Sequence, residues 1–169
     1  RGIRATWLSK KPQASASRWA AISTLLVVVG SILYATNTWN AKEWMAATHQ
    51  QVFDQGQIWR AWTTAFAHAD EKHLLSNAFL FFILGIFLNG YFGWIMFPLA
   101  ALIFGGFTNL FALWSMPSTT QLIGASGIVF WMGGVWLILY GFIETRKSIL
   151  QRALRATGVG LLLFFPAEA

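Results

Sequence analysis

Uncharged apolar runs separated by short polar breaks make up most of the chain, and four of these runs are long enough to matter to a membrane. A hydrocarbon core about 30 Å thick needs roughly 20 helical residues at 1.5 Å each. Residues 19–36, 73–89, 91–114 and 122–143 meet or approach that length, and each is expected to form a spanning helix. A further run over residues 156–165 gives only about 15 Å of helix, too short to cross alone. The second run opens with a recognisable cap. Asp70 is placed to accept a backbone N–H of the first turn, and Glu71 adds an acid where the helix dipole favours one. That start puts His73 and Asn77 one turn apart on one face, just inside the membrane boundary.

Residues 37–72 have a different texture. Trp39, Trp44, Met45, Phe53, Ile58, Trp59, Trp62 and Phe66 are interleaved with Lys42, Glu43, Gln50, Asp54, Gln57 and Arg60. Such amphipathic aromatic segments sit at the headgroup boundary, so one or two short helices lying flat on the outer leaflet are expected.

Composition narrows the class. Of 169 residues, 56 % are hydrophobic and 11 % charged, which excludes a water-soluble globule. The expected fold is an all-α, polytopic membrane helix bundle with four complete spans and a partial fifth. A basic segment, residues 1–18, precedes a membrane domain over residues 19–169 in which residues 37–72 form an interfacial loop. The net charge of +6 could suggest nucleic acid, but its distribution points to topology. Nine Lys and Arg flank the first span's start and the fourth span's end: Arg1, Arg4, Lys10, Lys11, Arg18, Arg146, Lys147, Arg152 and Arg155. Only Lys42, Arg60 and Lys72 lie on the other side. The N-terminus is therefore expected in the cytoplasm of a multi-pass protein, and no nucleic-acid partner is implied. With no organelle presequence visible, a bacterial cytoplasmic (inner) membrane is the expected location. The absence of cysteine removes disulfides, zinc fingers, iron–sulfur ligation and thiol nucleophiles together.

Polar groups at membrane depth are costly and are candidates for function. One constellation is Trp59-Arg60 followed by His68, Asp70, His73 and Asn77; its neutral donors also suit interhelical hydrogen bonding. The other is Gly124-Ala125-Ser126-Gly127, opening the fourth span. A serine between glycines at a loop-to-helix junction has an exposed hydroxyl beside unpaired first-turn N–H groups, which is what a nucleophile next to an oxyanion hole requires. Glycine and serine also serve simple helix packing. Gly127, Gly134 and Gly141 recur every seven residues, a smooth stripe that calls for a closely packed neighbour. A metal site on His68, Asp70 and His73 has too few ligands for a histidine-rich di-metal centre, and no span carries a mid-membrane charge of the kind a transporter uses. No metal or cofactor is implied.

Gly56-Gln57-Ile58-Trp59-Arg60, Thr63, Phe66, His68, His73-Leu74-Leu75-Ser76-Asn77, Gly85 and Gly124-Ala125-Ser126-Gly127 occur in an order and spacing that resembles the rhomboid family of intramembrane serine proteases. The resemblance runs from about Trp19 onward. It implies a six-helix core in which Ser126 is the nucleophile, and an oxyanion hole of His73, Asn77 and the Ser126 N–H. It also implies a structural role for Trp59-Arg60 in a half-embedded first loop, and a supporting role for His68, which is not the base. The implied activity is hydrolysis of peptide bonds in or beside membrane helices of substrate proteins, with the lipid bilayer as medium. By the same resemblance the general base is a histidine on a sixth span packed against the serine helix. The chain's histidines are His49, His68 and His73, and His49 matches no motif position. A serine hydroxyl without a base loses on the order of a hundredfold to ten-thousandfold in rate, so this chain alone is expected not to cleave. Two expectations follow: a membrane domain incomplete at its C-terminus, whose missing part carries the base, or a catalytically inactive rhomboid-like protein that binds membrane-helix clients.

Overall fold

A computed structural model of the chain describes residues 12–144 and 147–164. Arg1, Arg4, Lys10, Lys11 and Arg146 of the basic flanks, and Phe165 at the end of the last apolar run, lie outside the described residues. Five helices carry the architecture: α1 (Ala16–Ala35), α2 (Glu71–Phe92), α3 (Ala101–Ser115), α4 (Ser126–Ile143) and α5 (Ile149–Phe164). A wide turn, Ile95–Ala100, feeds directly into α3, so that the third apolar stretch is Ile95–Ser115. Among the described residues, α1, α2, Ile95–Ser115 and α4 are long and apolar enough to cross a membrane. The chain is an integral membrane protein of the all-α, polytopic class.

The boundaries depart from the apolar runs for local reasons. Helix α2 begins at Glu71 because Asp70, in extended backbone, accepts the His73 N–H on its carboxylate at 2.8 Å. It runs past Asn89 to Phe92 and ends at Gly93, whose φ of +81° suits a residue without Cβ; Tyr91 thus closes α2 instead of opening the third span. Helix α4 starts at Ser126, four residues later than the apolar run, because Gln121–Leu122 pairs antiparallel with Ala47–Thr48. The last helix starts at Ile149, seven residues before the apolar run, since Gln151, Arg152 and Arg155 are good helix formers whatever their polarity. Its sixteen residues make about 24 Å. Residues 37–72 are not one or two flat helices. They form a string of single turns (Thr38–Asn40, Ala41–Trp44, Gln50–Asp54, Arg60–Thr63, Thr64–Phe66) with a two-residue strand between them, held by side-chain bonds to carbonyls described below.

Packing centres on α2. Its Phe81, Leu84 and Leu88 meet Ala20 and Val27 of α1, Phe97 before α3, and Ile128, Val129 and Met132 of α4. Within lipid the hydrophobic effect does not drive helices together, so close contact and interhelical hydrogen bonds must. Small residues supply the contact: Gly85 lies under the Phe97 ring, Gly105 against Ile128 and Gly106 against Trp62. Asn89, fully buried, donates to the Phe97 carbonyl at 2.7 Å and pins the α2–α3 connection. Outward positions such as Leu25, Leu26, Phe79, Phe104, Phe111 and Ile138 are exposed, as lipid-facing side chains are. The glycine stripe of α4 finds its close neighbour at Gly127, against Asn109 of α3; around Gly134 and Gly141 an added Cβ would meet nothing within 4 Å.

Candidate functional site

Three devices fix the segment that leads into Ser126. Arg60, buried, donates to the Ala46 carbonyl at 2.7 Å, the Glu43 carbonyl at 2.6 Å and Gln57 Oε1, gathering the turns of residues 43–60 around one guanidinium. Asn109 donates to the Ala61 carbonyl at 2.8 Å, tying that loop to α3. Thr64, next to it, accepts the Gly124 N–H on its carbonyl at 3.0 Å and donates its hydroxyl to the Leu122 carbonyl. The loop therefore holds both ends of the bend that precedes α4. Trp59, in contrast, is largely exposed, and its carbonyl takes the Trp62 and Thr63 N–H groups.

His68 is the hub. Its Nε2 faces two donors, the Ala125 N–H at 3.3 Å and the Asn77 amide nitrogen at 3.2 Å, so Nε2 must be the unprotonated nitrogen. The proton then sits on Nδ1, which lies 2.8 Å from the Ser31 hydroxyl oxygen of α1. One neutral imidazole thus joins α1, α2 and the approach to α4. Burial pushes the His68 pKa down to about 4, the neighbouring His73 adds to the shift, and Asp70 opposes it.

His73 stands edge-on to His68, ring centroids 5.1 Å apart. Gly124 also packs against it. At φ +113° this residue turns its Cα onto the His73 ring, and an added Cβ would stand 2.7 Å from Cε1, 2.8 Å from Nε2 and 3.4 Å from the Asn77 amide nitrogen. The imidazole and the amide are thus packed against the backbone two residues before Ser126. Ser126 is the first residue of α4 and half-buried. The first intrahelical bond runs from Val129 N–H to the Ala125 carbonyl, leaving the N–H groups of residues 126–128 without an intrahelical acceptor.

The structure therefore gathers His68, His73, Asn77 and Gly124 at the N-terminus of the serine helix, with Gly127 set into the α3 contact. Arg60 reaches the bend only through the loop, and Trp59 is largely exposed. The His49 ring stands 4.9 Å from Phe53, and its buried Nδ1 has no hydrogen-bond partner. Sequence reasoning missed Ser31, Thr64 and Asn109. For Ser31 and Asn109 a signal existed, since each is a buried polar residue within an apolar span.

A family model described as Rhomboid domain matches residues 55–166 of the chain. No curated protein and no solved structure matches it. The matched stretch contains the whole cluster except Ser31.

Proposed function

The chain belongs to the rhomboid family, and from that premise we propose that its site is that of an intramembrane serine endopeptidase acting on peptide bonds in or next to transmembrane segments of membrane proteins. Ser126 Oγ attacks the scissile carbonyl. The developing oxyanion is held by the His73 imidazole, the free Asn77 amide hydrogen and the Ser126 N–H. Removing one such donor costs on the order of a hundredfold to a thousandfold. The observation that carries the reading is the close approach of Gly124 to His73 and Asn77, directly ahead of a helix whose first N–H groups are unpaired. The base is expected on a further span, because the His49 ring packs against Phe53 and both nitrogens of His68 are engaged. These 169 residues alone are proposed to be inactive.

In this reading the bundle sits in a bacterial cytoplasmic membrane with its N-terminus inside, and residues 37–72 border the outer leaflet. A second reading, a rhomboid-like protein that binds membrane helices without cutting them, draws on the lack of a base among the three histidines. Cleavage of a reporter membrane helix in vesicles, by protein carrying the further span, distinguishes the two. The protease reading expects Ser126→Ala to abolish cleavage and His73→Ala to slow it. Retention of the reporter without cleavage by wild-type protein supports the binding reading, and undiminished cleavage by Ser126→Ala removes that serine from the mechanism.

A further inference from the structure

Ser31 lies in the middle of an apolar stretch of α1, 4 % exposed, in a helix that contributes nothing else polar to the cluster. Its hydroxyl hydrogen is directed to the Val27 carbonyl one turn back, at 2.8 Å, with the Phe66 carbonyl a longer alternative at 3.2 Å. With that hydrogen used, the oxygen faces His68 Nδ1 as an acceptor. The approach is tight by construction: a Cβ added to the adjacent Gly30 would stand 2.6 Å from Phe66 Cβ, so α1 is pressed against the segment leading to His68. We propose that Ser31 is a positioning residue for the oxyanion site, accepting the His68 Nδ1–H and so holding the tautomer whose Nε2 lone pair anchors Asn77 and Ala125.

The opposite tautomer places a hydrogen on Nε2 against the Ala125 N–H, which then loses its acceptor inside the protein. It also turns away the Asn77 donor, freeing an amide whose plane is otherwise set by one hydrogen on Nε2. With that plane set, the second Nδ2 hydrogen points away from His68, and the nitrogen lies 3.4 Å from the position of a Cβ on Gly124. Ser31 touches neither the serine nor any reacting atom. It acts through two hydrogen bonds in series, from the first span to the second and to the start of the fourth.

This inference rests on the oxyanion reading for its catalytic consequence, but its structural claim is tested separately. The chain is prepared in micelles with ¹⁵N-labelled histidine and asparagine, and the signals of His68 are assigned among the three histidines by His68→Gln. Wild type should show His68 neutral and protonated on Nδ1, with the Asn77 amide hydrogens inequivalent and slow to exchange. Ser31→Ala, and Ser31→Cys as the isostere whose sulfur is only a weak acceptor, should populate both tautomers and bring the Asn77 hydrogens into faster exchange. Ser31→Thr, which restores the hydroxyl, should return both signatures. If His68 keeps a single Nδ1–H tautomer and Asn77 stays protected in Ser31→Cys and Ser31→Ala, the proposal is overturned. In protein that cleaves, Ser31→Ala should lower kcat on the order of tenfold at unchanged KM, and Ser31→Thr should recover it. Altered NMR signatures with kcat intact overturn the catalytic role. A wild type that does not cleave counts against the protease reading and leaves the NMR result to decide the tautomer.

Discussion

Replacing Gly124 by alanine tests the geometry of the site at its tightest point. At φ +113° an L side chain is strained whatever surrounds it, a cost of about 1–3 kcal/mol. The new methyl would stand 2.7 Å from His73 Cε1 and 2.8 Å from Nε2, well inside van der Waals contact. Overpacking of this kind costs about 1–3 kcal/mol, but the two costs are coupled, since a swing of the imidazole relieves the contact. An overall loss of about 2–4 kcal/mol is expected, together with displacement of His73 from its edge-on position against His68. Gly134→Ala is the internal control: it lies mid-helix with nothing within 4 Å, and should stay within about 1 kcal/mol of wild type. Equilibrium unfolding of each variant in mixed micelles, followed by circular dichroism, gives the two costs under one set of conditions. Equal stability of Gly124→Ala and Gly134→Ala would refute the placement of Gly124 on the His73 ring.

Three further outcomes are expected. His68 is neutral when folded, with its pKa lowered to about 4 against 6.5 in the unfolded chain. Its contribution is complete above pH 6.5 and is lost as pH falls from there toward 4, amounting to about 2 kcal/mol at pH 5. Comparing unfolding at pH 7.5 and pH 5 should show this loss in wild type, and His68→Gln should lack it. Arg60→Ala removes the bonds to the Ala46 and Glu43 carbonyls and to Gln57, and is expected to cost about 3 kcal/mol and speed proteolysis within residues 43–57; Arg60→Lys, unable to span three acceptors, should recover less than half. Gly127→Ala drives a methyl into the Asn109 amide, so a double-mutant cycle of unfolding free energies should find it at least about 1 kcal/mol less costly in an Asn109→Ala background.

How far the fold could be read in advance depended on whether a feature is written in one stretch of chain. The spans were legible because an apolar run of the right length has few alternatives in lipid, and the Asp70 cap because its acceptor and donor lie three residues apart. Helix ends were less so. Helix α4 yields Leu122 to a ladder whose other strand, Ala47–Thr48, carries no pattern of its own, and α5 begins among polar residues that an apolar scan passes over. Of the candidate site, His73, Asn77 and the residues around Ser126 were singled out by local spacing and motif, and the structure brings His73 and Asn77 against Gly124. The supports were not, because Thr64 and Asn109 act on backbone carbonyls 58 and 48 residues away, and a carbonyl leaves no mark in the sequence. Ser31 was visible as a polar residue in α1, but its partner is 37 residues distant, and only the close approach at Gly30 brings them together.

The central claim is that Ser126 is a nucleophile whose oxyanion partners are His73 and Asn77. It is tested most directly by treating membranes containing the protein, extended by the further span proposed above, with a fluorophosphonate and locating the adduct by peptide mass spectrometry. The account predicts one modified residue, Ser126, labelled more slowly in His73→Ala and not at all in the 169-residue chain alone. Labelling at another serine, or none in protein that cuts the reporter, would contradict it.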